Sequence, residues 1–421
     1  MKNKLLLPIF LCMGVLFVSS LSFAQGEQQD ILGGFVQEAL EHNPRIQAAL
    51  NRWEAAQYAI GRVQGLPDPV ASYGYFGENV QTKTGPQEQK FGFSQKIPFP
   101  GKLNLKGKAQ GKQAQILKEQ YEGTRREVIK EVKLTFYDLY WIDQAIRVTD
   151  EEKGILENLE RVSRRKYETN LANQQDVIKA QVELSKLVDK LYLLKQNRQS
   201  LQAKMKSLLN RTENLSLENI SQIKERDYSY TLDTLMAWAE ETRPELLSAN
   251  LATEKAQFEK SLARMDYLPD FTFGVEYIDI GGGTTALADD GQDAWMGMVS
   301  VNIPLWFGRL NTQLNEKKAD LRAAQNYADN VKNSVTYEVQ DIHFKILAYQ
   351  DIVTLYETTL IPQAQQAFDG AKTGYERGRI DFLNWLDAQR TLLQTWLAYY
   401  KAVADYHKSI AFLERIVGRD L

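Results

Sequence analysis

Apolar positions along this chain follow two different periods, and the order in which those periods alternate occurs twice. Residues 31–64 and 231–266 have helical composition, with Asn43-Pro44 and Arg243-Pro244 marking a kink or a helix start in each. Leu66-Pro67-Asp68 and Leu268-Pro269-Asp270 then end the helical stretches. Period two follows: Ala71, Tyr73 and Tyr75 against Ser72 and Gly74; Phe91 and Phe93 against Gly92 and Ser94; Phe271, Phe273, Val275 and Tyr277 against Thr272 and Glu276. This predicts strands over 70–78, 90–97, 271–280 and 294–303. The linkers 79–89 and 281–293 are polar and Gly-rich, so each pair of strands reads as a hairpin, over about 69–98 and about 270–304.

The remainder is long helix. Val128, Val132, Thr135, Leu139, Ile142 and Ile146 fall at alternating steps of four and three. So do Val177, Ala180, Leu184, Leu187, Leu191, Leu194, Arg198, Leu201, Met205 and Leu208, with Arg198 as the one polar interruption. A single helix from 103 to 167 would run roughly 100 Å, which no compact globule of this size accommodates. The molecule is expected to be elongated.

The two halves correspond residue by residue. Asn43-Pro44 matches Arg243-Pro244 at an offset of 200, and the Leu-Pro-Asp triplets match at 202. Ile97-Pro98 matches Ile303-Pro304 at 206; Gly101-Lys102-Leu103 matches Gly308-Arg309-Leu310 at 207. Tyr167-Glu168 and Ala180-Gln181 match Tyr375-Glu376 and Ala388-Gln389 at 208. An ordered series whose gaps only grow indicates a duplicated unit, far longer than a solenoid repeat. The expected division is a leader over 1–24, a first unit over 25–225 and a second over 226–421.

The leader expectation rests on Lys2 and Lys4, an apolar run from Leu5 to Val18, and Ser22-Phe23-Ala24 as a small-residue cleavage site before Gln25. Leu11 stands where a lipobox before Cys12 wants a small residue, which argues against lipidation. Cys12 is the sole cysteine of 421 residues, which excludes a disulfide framework. His42, His343 and His407 lie far apart in no zinc-type spacing, so neither a metal site nor a cofactor is expected. The formal net charge of −3 gives no basic excess for a nucleic-acid partner. Nucleophile elbow, P-loop and HExxH are all missing, and Gly281-Gly282-Gly283 opens no helix, so nothing points to an enzyme.

Strands of about ten residues have the length of a tilted membrane strand, yet four cannot close a barrel. An open sheet edge in hydrocarbon leaves backbone groups unsatisfied at several kcal/mol each. Several exported chains would therefore build one barrel, two chains giving eight strands and three giving twelve. The aromatic positions Tyr73, Tyr75, Phe91, Phe93, Phe271, Phe273 and Tyr277 are the expected lipid-facing set. The alternative is a small soluble sheet capping a periplasmic coiled-coil tether.

The sequence resembles the TolC family of outer-membrane efflux proteins. The resemblance is carried by Ala39-Leu40-Glu41-His42-Asn43-Pro44, the duplicated Leu-Pro-Asp and Ile-Pro turns, and Tyr375-Glu376-Arg377-Gly378 leading into Leu386-Asp387-Ala388-Gln389. It implies an α+β membrane protein: a homotrimeric twelve-stranded β-barrel in the outer membrane of a Gram-negative bacterium, continued by an α-helical barrel across the periplasm. The implied partners are a periplasmic adaptor and an inner-membrane pump, and the implied role is a passive duct. The segment Gln95-Lys96-Ile97-Pro98-Phe99-Pro100-Gly101-Lys102 resembles the heavy-metal cation efflux subgroup, whose pumps are of the RND class. A type I secretion duct is the variant reading within the family.

A duct needs a gate at the helix-hairpin tips, which fall near 170–173 and 374–381. The resemblance assigns Tyr375 and Asp387 to that gate, with Asn384 standing where a second aspartate is common, which breaks a double acidic ring. Asp176 takes the Asn384 position in the first unit and is a weaker candidate. Arg377 and Arg379 either tie neighbouring helices or are solvated. Arg161, Arg164, Arg165 and Lys166 form a basic cluster before the first tip, a candidate adaptor surface. His343 and His407 read as packed core.

Overall fold

A computed structural model describes residues 31–212, 219–223, 227–283, 286 and 288–421. The expected leader over 1–24, Cys12 within it, and the boundary between units at 225/226 lie outside the described residues. Helices α1 (Ile31–His42) and α2 (Pro44–Gln64) lead into a hairpin of β1 (Val70–Thr82) and β2 (Gly85–Ile97). The long α3 (Lys102–Glu168) and the returning α4 (Gln174–Leu208) follow. The order then recurs as α5 (Leu232–Thr242), α6 (Pro244–Met265), β3 (Phe271–Ile280), β4 (Ala294–Val301), α7 (Phe307–Leu355), α8 (Ile361–Glu376) and α9 (Phe382–Val417). At 67 residues, α3 is a rod of roughly 100 Å.

The linker 79–89 is corrected by the structure. It is not a loop: β1 and β2 both extend through it, pairing Val80 with Gln87 and Thr82 with Gly85 beyond a register shift after Tyr75. The ladder needs backbone groups and not apolar side chains, so the strands outrun the period-two signal. Between α7 and α8 the long helix also passes through a π turn, Tyr356–Leu360. Pro362 follows at once, and its ring and missing N–H cannot meet the carbonyl four residues earlier in a regular α-helix.

Pro44 and Pro244 begin helices, as pre-set φ favours at the first position. Asn43 does two jobs there. Its Oδ1 accepts the Arg45 N–H at 2.9 Å, and its Nδ2 donates to the Leu208 carbonyl at 2.8 Å, tying the first hairpin's return to its start. In the second half Thr242 Oγ1 donates to the Val417 carbonyl at the corresponding place. Each tie sits beside a matching core: Phe35, Ala39, Ile46, Val128, Val132, Leu139, Met205 and Leu208 in one half, and Leu235, Ala239, Val335, Val339, Ile346, Ile410, Leu413 and Val417 in the other. The expected stripe residues Val128, Val132, Thr135, Leu139 and Ile142 are all buried. Arg198, the polar interruption, donates to the buried Asp143 at 2.5 Å.

The strands form one antiparallel sheet in the order β1-β2-β3-β4. Helix α3 packs on α4 at one side and on α9 at the other, and α9 packs on α7. Next to the sheet, whose edges are β1 and β4, the rods are α2, α3, α6 and α7, with α3 packed on α2 and α6 and α6 on α7; away from the sheet the row is α4, α3, α9, α7.

Sheet and rods meet at Asp270. Its Oδ1 accepts the Phe99 N–H at 3.0 Å and Lys102 Nζ at 2.8 Å, and Lys96 Nζ lies 3.2 Å from Oδ2. The buried Lys102 also donates to the Leu268 carbonyl at 2.9 Å. Gly101 enters α3 with φ +98°, a left-handed conformation, and a Cβ there would lie 3.2 Å from the Met265 methyl. One carboxylate thereby fixes the exit of β2 against the entry of β3.

Burial raises the Asp270 carboxyl, but the hydrogen bonds and positive charge of Lys102, Phe99 N–H and Lys96 outweigh it and hold the group at about 2, below the ordinary 3.8. The stabilisation is complete above 3.8 and is lost as pH falls from 3.8 through about 2. Asp270→Asn strands the buried Lys102 and should cost about 3 kcal/mol. Thermal unfolding in detergent, followed by circular dichroism across that pH range, tests this; an unchanged melting temperature at neutral pH contradicts it.

Candidate functional site

Both hairpin tips are built alike. At the first, Asn170 turns left-handed (φ +59°) and the Leu171 N–H donates to the Lys166 carbonyl at 2.7 Å. At the second, Gly378 takes φ +72° and the Arg379 N–H donates to the Gly374 carbonyl at 2.8 Å. Asn and Gly are the residues that adopt this conformation with least strain. Asp381 then caps α9 by accepting the Asn384 N–H at 2.9 Å.

The tips pack side by side. Leu156, Leu159, Ala180, Phe368, Phe382, Trp385 and Leu386 form one apolar cluster, with Tyr375 4% exposed within it. The Tyr375 ring lies 5.1 Å from Trp385, and its hydroxyl is 3.1 Å from Ser163 Oγ on α3. Lys166 Nζ stands 4.1 Å from the Tyr375 ring centroid and donates to the Tyr375 carbonyl. Burial raises the Tyr375 phenol, outweighing the lowering by its Ser163 hydrogen bond, and the charge of Asp176 adds a smaller rise. Tyr375, Ser163 and Lys166 are thus one group, joining the second tip to α3.

The other expected residues stand apart from that group. Asn384 and Asp387 are exposed one turn apart on α9, away from Trp385, Leu386 and Gln389. Arg377 and Arg379 are exposed, and among the described residues neither makes an ion pair. In the basic cluster, Arg161 donates to Asn158 at 2.8 Å, Arg164 pairs with Glu160, and Arg165 is exposed. Lys166 alone is turned toward the core.

Sequence reasoning missed Glu152 and Gln389. Both are buried, and Gln389 Nε2 donates to Glu152 Oε2 at 2.9 Å across the α3–α9 seam. Thr149 Oγ1, Trp385 Nε1 and Gln389 Oε1 in the same seam are buried without a hydrogen-bond partner among the described residues. The signal was present: continuing the α3 stripe in steps of three and four from Ile142 reaches Thr149, Glu152, Leu156, Leu159 and Ser163.

The sheet has one apolar and one polar face. Directly opposed residues share a face, so the ladder aligns Tyr73, Phe91, Tyr277 and Trp295 in one row and Phe93, Val275 and Gly297 in the next. Phe273 and Val299 make another row, and Phe271 and Val301 the last. The seven expected aromatics, Tyr75 among them, all fall on this face, and Trp295, Val299 and Val301 join them. Nearly all are exposed in the single chain, Trp295 at 76% and Tyr75 at 72%. The opposite face is mostly small and polar, with Ser72, Gly74, Gly92, Ser94, Glu276 and Ser300, and Lys90 Nζ 2.7 Å from Glu276; Val70, Ile278, Met296 and Met298 are its apolar members. Among the described residues no helix is long and apolar enough to cross a membrane.

The model of the outer membrane efflux protein family matches residues 35–211 and 235–419. The cobalt-zinc-cadmium resistance protein CzcC of Cupriavidus metallidurans is 29% identical over 181 residues, 42% of this chain and 43% of that protein, so less than half of that relative is spanned. The outer-membrane channel OprN superposes with a TM-score of 0.79 at 16% identity, covering 92% of this chain and 89% of OprN. CusC superposes with a TM-score of 0.77 at 14% identity, covering 93% and 92%. These two likenesses are of fold.

Desolvation in the seam raises the Glu152 carboxyl above 4.5, outweighing the lowering by its Gln389 hydrogen bond. A raised carboxyl favours the protonated form in the folded state, so its contribution is complete below 4.5 and is lost as pH rises through the elevated value. Glu152→Gln should remove that decline and leave neutral-pH stability unchanged or raised. Glu152→Ala, which strands the Gln389 amide, should cost about 2 kcal/mol. Melting temperatures measured at several pH values check both; an identical pH profile in Glu152→Gln contradicts the assignment.

Proposed function

The chain belongs to the outer membrane efflux protein family, and on that footing we propose that three copies form one passive outer-membrane duct of a tripartite efflux system. The observation that carries the reading is a four-stranded sheet with one apolar face and two open edges, seated on a row of rods. Pairing β4 of each copy with β1 of the next gives a closed twelve-stranded barrel, apolar outside and polar within. The flanking rods repeat the logic. Ile178, Val182 and Tyr192 stay exposed on α4, as do Tyr337, Phe344 and Leu347 on α7, and a second copy covers both. A soluble tether has no use for this exposed apolar face.

In this reading residues 1–24 direct export, the duplicated halves give the duct its near six-fold form, and the helical barrel lies in the periplasm. The duct makes no energy of its own. An inner-membrane RND-type pump delivers cargo through an adaptor that docks beside the first tip, at Arg161, Arg164 and Arg165. The likeness to the cobalt-zinc-cadmium resistance protein CzcC supports metal cations as that cargo. Asp387 and Asn384 face the axis at the narrow end, and three copies of Asp387 concentrate negative potential there. Tyr375 holds the second hairpin in place through Ser163 and Lys166, Asp176 adds its charge nearby, and Arg377 and Arg379 stand at the rim.

Native mass spectrometry of protein extracted from outer membranes in detergent tests the assembly. A mass of three chains is expected, and a water-soluble monomer overturns the duct. The gate is tested in planar bilayers, where Asp387→Ala should raise conductance or weaken block by divalent cations. Unchanged conductance and block would leave Asp387 a surface carboxylate.

A further inference from the structure

The elbow that Asp270 organises has a counterpart that a single chain leaves unmade. Asp270 answers Asp68 at an offset of 202, Phe99 answers Leu305 at 206, and Lys102 answers Arg309 at 207. Within the chain, the carboxylate ahead of β3 takes the N–H and the cation at the exit of its neighbour β2. The strand neighbouring β1 in a closed barrel is β4 of another copy. Asp68 stands ahead of β1, Arg309 stands beyond the exit of β4, both are exposed, and among the described residues neither has a partner. Lys102, the buried counterpart of Arg309, shows what this position looks like when the elbow is complete.

We propose that Arg309 of each copy pairs with Asp68 of the next, closing the seam between chains by the contact that Lys102 and Asp270 make within one. The inference rests on the shared-barrel reading and extends it to named residues. The same correspondence sets the seam register. Phe93 opposite Val275 becomes Val299 opposite Tyr73, and Ser94 opposite Gly274 becomes Ser300 opposite Ser72. Both pairings keep apolar residues on the apolar face and serines on the polar one, a condition that a one-residue slip would break. The Leu305 N–H, unlike that of Phe99, already donates to the Ile303 carbonyl at 2.9 Å, which leaves the guanidinium as the donor that Asp68 meets. Arg309 also reaches the Leu66 carbonyl of the next copy, as Lys102 reaches that of Leu268.

The surroundings fit. Ile303, Leu305, Trp306 and Phe307 are exposed beside Arg309, Trp306 at 77%, whereas Leu66 and Val70 are exposed on either side of Asp68. These shoulders are apolar on both sides, and each elbow has what the other lacks: one carboxylate against one guanidinium. Asn302 replaces Lys96, so the inter-chain elbow has one cation fewer and depends more heavily on Arg309. A guanidinium can hold both carboxylate oxygens at once, which suits it to stand alone there.

The test uses the full chain carrying Tyr73→Cys and Val299→Cys, extracted from outer membranes and treated with a short thiol-reactive crosslinker. This background should give a covalent three-chain band on denaturing gels. Asp68→Arg or Arg309→Asp alone should abolish most of that band, and the two together should restore it. If the background crosslinks but the single reversals have no effect, or the double fails to recover, copies assemble without this contact and the proposal is overturned. A background that yields no band, with a native mass of one chain, overturns the shared barrel itself.

Discussion

A β-strand in hydrocarbon has nowhere to place an unpaired N–H or C=O, and everything else about this chain follows from having only four strands. A sheet ordered β1-β2-β3-β4 leaves one ladder's worth of backbone open at each edge. Its apolar face forbids water as the partner, since Trp295, Tyr73 and Val299 would be stranded there. The remaining solution is another copy, β4 to β1, and the geometry recurs around an axis until the ring closes. Rods continuing from such a ring must themselves form a ring, which is why α4 and α7, at the flanks of the row, keep apolar residues uncovered.

The load between sheet and rods passes through a few polar groups and not through a broad core. Asp270 collects three donors from the end of β2 and the start of α3, so the strand exit and the helix entry move as one piece. Lower down, Asn43 and Thr242 each close a helical hairpin by bonding its last carbonyls. These contacts join residues more than 160 positions apart in sequence. Helix α3 in the first half and the continuous run of α7, π turn and α8 in the second cross all of these levels, and the rest of each half is hung from them.

Much of this was legible beforehand, because periodicity reports burial directly. The strands at 70, 90, 271 and 294, the heptad stripes and the break at Pro44 and Pro244 each follow from a local pattern meeting a local rule. The extension of β1 and β2 through 79–89 was not legible: side chains above an apolar band need not alternate, and the backbone ladder leaves no trace in composition. Tyr375 was singled out by resemblance, but its partners Ser163 and Lys166 lie on another helix more than 200 residues away, and no period connects them. Lys166 reads as one of four surface cations from sequence, and only tertiary packing turns it inward. Glu152 was readable and was missed, because a charge at a stripe position looks like an interruption of the seam when it is a member of it.

That membership bears on how the second hairpin is held. The two mid-rod cores are mostly apolar and their buried polar groups are largely paired, as in Lys133 with Glu414 and Tyr228 with His343, while the α3–α9 seam toward the tips leaves Thr149 Oγ1 and Gln389 Oε1 unpartnered among the described residues. Buried polar atoms without partners raise the energy of the packed arrangement, and they recover that energy when water reaches them. A seam of this composition parts at a smaller free-energy cost than an all-apolar one of equal area. The π turn at Tyr356–Leu360 lies directly above α8, where the helical ladder is already irregular and bends with least loss of hydrogen bonding. Loose seam and soft turn bracket the same hairpin, the one that carries Asp387.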